Sequence, residues 1–337
     1  MDVLSEVLKL VTLKGAVFFN AEFSDPWCVR SPASRLIAER FGPGQRHVII
    51  YHLLTEGVAW AEVEPGRRVA LGPGDIVIFP HGDPHLMGNG RPVTPVDNAQ
   101  QLDRILSEGL SVTRIGGGGA LTRFVCGYMV CEPQLSRVVL SGLPPMLRIP
   151  IRNDAAGVWL ENSIRFSVAN ASSSNAGSEA VLAKLSEVLF IEALRRYVGR
   201  LSDAETGWLA GSRDPHVGRA LGLLHARPAQ SWTIGSLAQS VGVSRAVLAE
   251  RFHYFLGEPP ITYLTRWRLQ LAARLLSTTS RSVVDVATEV GYYSQAAFNR
   301  AFKRAYALPP ARYRKASTPA PASPETSDLA VQHMYAG

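Results

Sequence analysis

Gln295, Asn299, Arg300, Lys303 and Arg304 lie close together near the C-terminal end of a 337-residue chain. Their amide, guanidinium and ammonium groups suit nucleic acid: Asn and Gln pair bidentately with adenine, Arg pairs with guanine, and either cation meets phosphate. Such groups read a duplex only if one helix face holds them together. The sequence supplies that face, because Ala296 lies among them while Phe298, Phe302 and Tyr306 recur at helical spacing on the opposite side. An earlier stretch has the same layout with weaker chemistry. There Leu248, Phe252 and Phe255 form the apolar side, and Arg245, Ala246, Ala249, Glu250 and His253 face away. The two alanines offer only methyl contacts, and Glu250 repels phosphate unless it accepts from a cytosine amino group.

The elements that must position these groups form an internal repeat. Ile234-Gly-Ser-Leu-Ala238-Gln-Ser-Val-Gly242-Val-Ser244 recurs as Val283-Val-Asp-Val-Ala287-Thr-Glu-Val-Gly291-Tyr-Tyr-Ser294, at an offset of 49 residues that becomes 50 at the serine. In each copy a small alanine lets a second helix approach, a glycine four positions later suits a positive-φ turn, and a serine is placed to cap the next helix. This order is the pattern of a helix-turn-helix, whose second helix enters the major groove. Between the copies, the stretch from Pro259-Pro260 to Leu276 reads as a long helix that would tie the two heads rigidly. Heads fixed on one side of a duplex address major-groove segments roughly 34 Å apart.

Charge and composition agree with that division of labour. Residues 213–315 hold 15 Lys/Arg against 5 Asp/Glu, whereas the preceding part is nearly neutral. With 46% hydrophobic and 19% charged residues, the chain has ample core, and no apolar run reaches the roughly 18 to 20 residues that cross a bilayer. The first dozen residues lack the basic start and cleavage site of a secretory signal, and three cysteines are too few for a disulfide framework, so a cytoplasmic protein with no membrane partner is expected. Short strand-like runs at His47–Leu54, Val58–Val63, Arg68–Leu71, Ile76–Phe79 and Thr122–Val130, punctuated by Gly and Pro, point to a β-barrel or sandwich. An N-terminal helix is expected on Leu4, Val7, Leu8 and Val11. A broad apolar stripe from Val181 to Leu194 reads as a helix that either packs internally or pairs with a second copy. The expected fold class is α+β multidomain. Residues 1–200 form a β-barrel with its helices, 201–212 a linker, 213–315 an all-α tandem helix-turn-helix domain, and 316–337 a disordered tail.

Residues of roughly 208–315 resemble the DNA-binding domain of the AraC/XylS family of transcription regulators. The resemblance rests on Tyr263-Leu264-x3-Arg268-Leu269-x2-Ala272-x2-Leu275-Leu276 and on Val286-Ala287-x3-Gly291-Tyr292-x-Ser294-x3-Phe298-x-Arg300-x-Phe302-Lys303, followed by Pro309 and Tyr313-Arg314. It implies base contacts from Ala246, Ala249 and Glu250 in the first head and from Ala296, Ala297 and Arg300 in the second. Ala307 stands where the family usually has glycine, and Glu250 where a basic residue is common. Upstream, Gly74-x5-Pro80-x-Gly82-x2-His85-x3-Asn89 resembles the second motif of the cupin barrels, and Asp25-Pro26-Trp27 and Val125-Cys126-Gly127 resemble the cupin-type ligand domain of one AraC branch.

That resemblance implies a small-molecule effector in a pocket formed by His52, Glu56, Trp60 and His85. It also implies a homodimer joined through Leu182, Leu185 and Leu189, double-stranded promoter DNA as partner, and RNA polymerase if the protein activates. His52, Glu56 and His85 match three of the four ligand types with which cupin enzymes hold a divalent metal, Ile50 standing at the fourth. A dioxygenase-like cupin metalloenzyme carrying a DNA-binding appendage is therefore the competing reading, and a barrel serving only as a scaffold is a third. No catalytic set is found elsewhere. The run Gly116–Gly119 lacks the Lys-Ser/Thr that a P-loop requires. The expectation is a regulator with no catalytic residues, not an enzyme.

Overall fold

The computed structural model describes residues 4–5, 13–41, 47–99, 112–131, 140–171, 177–202 and 204–317. Most of the expected N-terminal helix, the polar run at 172–176 and the tail from 318 lie outside the described residues. Contacts divide the chain into two compact units, residues 1–222 with 246–257, and residues 223–245 with 258–337.

The first unit is built on two sheets. One has the order β11-β6-β3-β10-β1-β9 and the other β5-β4-β7-β2-β8. Their strands are β1 (Leu13–Ser24), β2 (Trp27–Ser31), β3 (Val48–Glu56), β4 (Ala59–Glu62), β5 (Arg68–Leu71), β6 (Asp75–Phe79), β7 (His85–Asn89), β8 (Val96–Asp97), β9 (Val112–Gly116), β10 (Leu121–Cys131) and β11 (Leu147–Pro150). Side chains of a strand alternate between faces, so Val48, Ile50 and Leu54 of β3 join Phe124, Cys126 and Tyr128 of β10, Val77 and Phe79 of β6, and Ala59 and Ala61 of β4 in one core between the sheets. The alternate residues Ile49, Tyr51 and Leu53 are buried as well. An uninterrupted apolar strand needs cover on both faces, and here the outer face lies beneath α1 (Ala155–Ala171) and α2 (Ser178–Arg200). The Tyr51 hydroxyl shares a 2.8 Å hydrogen bond with Ser186 of α2.

This packing corrects two expectations. Leu182 and Leu189 are buried and Leu185 is half-buried, so the stripe serves mainly the internal core and these residues do not form a free pairing face. The large apolar side chains left outside among the described residues are Val181, Val188 and Ile191 on α2, with Val158, Trp159 and Phe166 on α1. The expected linker 201–212 in turn contains most of α3 (Trp208–Arg213), whose Trp208, Leu209 and Ala210 are buried. Three consecutive apolar side chains with core to fill place a helix across the expected boundary at 212.

The helices that follow are α4 (Val217–Ala226), α5 (Ile234–Val241), α6 (Arg245–Leu256), α7 (Pro260–Thr278), α8 (Val283–Glu289), α9 (Gln295–Tyr306) and α10 (Pro310–Ser317). In the second unit, α7 lays Leu269, Ala272, Ala273 and Leu276 against Val286, Ala287 and Val290 around α8 and against Phe298, Ala301 and Phe302 of α9. Both repeat copies close in the same way. The amide of Val243 donates to the Ala238 carbonyl at 3.1 Å, and that of Tyr292 donates to Ala287 at 2.8 Å, across Gly242 and Gly291 at φ +79° and +86°. At Gly291 glycine is required for space as well as φ, because a β-carbon would sit 2.7 Å from the Ala229 Cα. Ala307 ends α9 at φ +61°, the position where the resemblance leads one to expect glycine. It carries a left-handed strain of about 1 to 2 kcal/mol that glycine would avoid.

Candidate functional site

Ser294 starts α9 by accepting a hydrogen bond from the Ala297 amide at 3.3 Å, which fixes the register of the face that follows. With Phe298, Ala301 and Phe302 turned inward, Gln295, Ala296, Arg300, Lys303 and Arg304 are exposed together. None of Arg300, Lys303 and Arg304 is held in an ion pair among the described residues, whereas Arg251, Arg266 and Arg281 are engaged by Asp214, Glu258 and Glu289. The exposed face of α9 therefore carries three cations that no carboxylate among the described residues engages. Asn299 departs from the expectation: it is half-buried at the flank, and its Oδ1 is buried without a partner among the described residues. Residue type suggested a base reader there, but α9 turns this side chain toward the core edge. Tyr293, one residue before the cap and 86% exposed, stands at the entry to the same face. Its two-residue distance from Gly291 was the available signal, and it was missed.

On α6, Ala246, Glu250 and His253 are exposed and Ala249 is half-buried. The Arg245 side chain lies against Gly235, where a β-carbon would approach its Nε to 2.9 Å, so part of its reach is spent on the preceding helix. The far end of α6 is tied to the α3 segment. Gly207 donates to the Phe255 carbonyl at 2.7 Å, and Arg251 Nε donates to buried Asp214 at 3.1 Å. Burial opposes ionisation of Asp214, but the Arg251 guanidinium and the amides of Val217 and His216 outweigh it and hold its pKa below the ordinary value.

Between the sheets lies a cavity of about 30 Å³ lined by Phe23, Trp27, Val29, His52, Met87 and Phe124, among others. Three buried nitrogens in this region, Trp27 Nε1, His52 Nε2 and His85 Nε2, have no hydrogen-bond partner among the described residues. His52 Nδ1 and Cys126 Sγ share a 2.9 Å hydrogen bond, and the His85 Nδ1–H donates to the Asp83 carbonyl at 2.9 Å. The structure thus brings His52 and His85 together, with ring centroids 5.7 Å apart, but not the other two expected pocket residues. Glu56 is exposed and paired with Arg123. An irregularity in the β3–β10 register beside Leu54 and Glu56 breaks the alternation and turns Glu56 outward. Trp60 shares β4 with inward Ala59 and Ala61, so its ring faces out and carries the Arg68 guanidinium 3.8 Å from its centroid. Trp27, quoted only as part of a family motif, is the indole that lines the cavity.

With Glu56 withdrawn, no group of three or more His, Cys, Asp or Glu able to hold a metal ion occurs among the described residues. The donors present do not fit the cupin metal site. Burial pushes the Cys126 thiol well up and His52 well down, the nearby His85 adding to the latter, which disfavours the thiolate–imidazolium form of a nucleophilic cysteine. The glycine run is equally inert. The amides of Gly117 and Gly119 donate to the Ser24 and Asp25 carbonyls, and that of Gly118 donates to the Ser24 hydroxyl.

The buried histidines make a pH prediction. Burial pushes His85 down to about 4 and His52 well below its usual 6.5. Both are neutral when folded and gain protons more readily when unfolded. Their stabilising contribution is complete above the usual histidine pKa and declines as pH falls through that value toward the folded pKa. Each is expected to cost up to about 1.4 kcal/mol per pH unit in that window. Thermal melts between about pH 7 and pH 4.5 check this, because His85→Phe should flatten the dependence. An unchanged slope in the variant would assign the acid sensitivity elsewhere.

A β-barrel joined to two helix-turn-helix units, one carrying an unpaired basic face, defines a DNA-binding regulator. The chain belongs to the AraC-type transcriptional regulators with a cupin domain: a cupin family model matches residues 2–199 and a helix-turn-helix domain model matches residues 237–316. It is 32% identical to an AraC-like transcription regulator of Streptomyces lividans, over 94% of this chain and 99% of that one. It is also 27% identical to the HTH-type transcriptional regulator AlkR of Acinetobacter baylyi, over 94% and 100%, and 28% identical to the RCS-specific transcriptional activator RclR of Escherichia coli, over 94% and 98%. Among solved structures, the DNA-binding domain of AdpA in complex with a target DNA is 30% identical over 31% of this chain and 92% of that one, with a TM-score of 0.30. The chain is a transcription regulator that binds double-stranded DNA, and it is not an enzyme. No helix among the described residues is long and apolar enough to cross a membrane.

Proposed function

We propose that this regulator acts in the cytoplasm as a homodimer whose operator affinity is set by a small effector in the barrel. The observation that carries the reading is the cavity between the sheets with Trp27 Nε1 and His52 Nε2 buried and unpartnered among the described residues. Two such groups cost free energy until something bonds them. At about 30 Å³ the space holds roughly two waters as it stands, so the effector is small or displaces the flexible Met87. Control requires that the effector favour one of two states of the dimer, with typical couplings of about 5- to 150-fold.

The test is operator selection from genomic fragments with the full-length protein, then titration of that operator against a metabolite panel. An effector that shifts affinity, and a His52→Phe variant that keeps DNA binding but loses the shift, support the reading. No shift from any compound, or a full shift in the variant, overturns it. The pairing face in this proposal is made by Trp159 and Phe166 of α1 with Val181, Val188 and Ile191 of α2, large apolar side chains left exposed on these two helices. Ile191→Glu is expected to turn the dimer into a monomer in sedimentation at micromolar concentration, and an unchanged dimer would place the interface elsewhere. Within the bound dimer, Ala296, Arg300 and the N-terminal part of α9 read bases. Lys303 and Arg304 meet phosphate, and RNA polymerase is a further partner if the protein activates.

A further inference from the structure

A cavity of about 300 Å³ lies in the first unit between the turn preceding β11, the C-terminal end of α2 and the α3 segment. Its volume reaches the lower end of the range that small organic ligands occupy, about 300 to 1,000 Å³, and it is ten times the barrel cavity. Its walls are divided by chemistry. Leu143, Leu201 and Leu209 supply an apolar side, and Tyr197, Glu205 and Thr206 supply a polar one.

The polar side is acceptor-rich and opens to solvent, Glu205 and Thr206 being exposed. Ser202 N–H donates to Glu205 Oε2 at 2.8 Å, and Glu205 N–H returns a bond to the Ser202 carbonyl at 3.2 Å. One oxygen of this exposed carboxylate is thereby held, and the other has no hydrogen-bond partner among the described residues. Burial, with a smaller contribution from the Glu205 charge, raises the Tyr197 hydroxyl pKa and keeps it protonated beside the carboxylate. No basic side chain is among the described residues that line the cavity. An anion would meet Glu205 without a counter-charge, whereas an ammonium would find a carboxylate and hydroxyls at one end and leucines at the other.

The α3 segment that forms one wall also holds α6. Thr206 and Leu209 flank Gly207, which donates to the Phe255 carbonyl. One turn on, a β-carbon at Gly211 would sit 3.1 Å from Phe255 Cβ and 3.2 Å from Leu256 Cδ1. Asp214, just past α3, is paired with Arg251. An occupant pressing on Thr206 and Leu209 acts on a segment attached to α6 at three successive points.

We propose that this cavity is a second regulatory site, which binds a small hydrophobic ammonium and passes its occupancy through α3 to the first reading helix, α6. The probe is 4-phenylbutylamine, titrated calorimetrically into the full-length protein beside 4-phenylbutanol and 4-phenylbutyrate, which share its apolar body. The amine is expected to bind and the acid to be rejected. Glu205→Gln should weaken the amine by roughly tenfold or more, and Thr206→Trp, filling the cavity from its exposed rim, should abolish binding. His52→Phe should leave amine binding unchanged, so failure of the barrel reading and failure of this one are separable. In footprints on the selected operator, the amine should alter protection of the box facing α6 and spare the box facing α9. The proposal is overturned if no amine binding is detected, if alcohol or acid binds as tightly, if binding survives both cavity substitutions or is lost in His52→Phe, or if both boxes respond equally.

Discussion

Phe298→Ala is expected to remove about 3 to 5 kcal/mol from the second unit, the loss typical of truncating a fully buried phenylalanine. Phe298 is 0% exposed. Its ring sits 5.3 Å from Tyr292 and 5.5 Å from Phe302 in the core that joins α7, α8 and α9. Domains are stable by only about 5 to 15 kcal/mol, so this loss takes a large share. The chain has two units and need not melt in one step, so the measurement is hydrogen exchange of peptides spanning α8 and α9 in the full-length protein. Protection there should fall by several orders of magnitude while β3 and β10 keep theirs, and operator binding should weaken through loss of the α9 face. Protection within about 1 kcal/mol of the parent would mean that the core does not hold the reading helix in place.

The repeat made the second unit legible. Ala, Gly and Ser at fixed offsets encode helix end, turn and cap, and each did locally what its chemistry allows: Gly291 takes φ +86° and Ser294 caps α9. Strands with clean alternation or tight turns were also legible, β5 to the residue and β3, β4, β6 and β10 within two. Helix α1 was not. It lays Leu160, Ile164 and Val168 on the sheet yet leaves Trp159 and Phe166 outside, so apolar residues occur all round and no stripe emerges. Helix α3 is too short for periodicity to set its bounds, so the boundary at 212 cuts through it.

Site residues were legible where a local rule placed them and lost where the third dimension decided. His52 and His85 face the same core because strand alternation is a local rule. Glu56 obeys the same count, but a register irregularity with β10 turns it to Arg123, and nothing within β3 announces that. Leu182 and Leu189 show the same limit. A stripe of leucines establishes that a face is buried, but the partner it buries against is set by the sheet beneath.

Arg300→Ala is expected to cost about 1 to 3 kcal/mol on the selected operator and to relax preference at one base pair, leaving affinity for random DNA little changed. The argument is geometric and electrostatic. Arg300 is exposed on the face opposite Phe298 and Phe302, on a helix whose start is fixed by Ser294, and no carboxylate among the described residues competes for it. A guanidinium so placed has its donor fork free for guanine O6 and N7. Lys303, exposed on the same face, has a point charge and no such fork, so Lys303→Ala should weaken all sequences alike and lower the slope of log affinity against log salt by about one. Arg300→Lys separates the two roles: it should retain phosphate attraction and salt slope but lose the base preference. Titrations of operator, single-base variants and random duplex at several salt concentrations decide the matter. Equal losses on all duplexes for Arg300→Ala would reassign it to phosphate and leave base reading to Gln295 and Ala296.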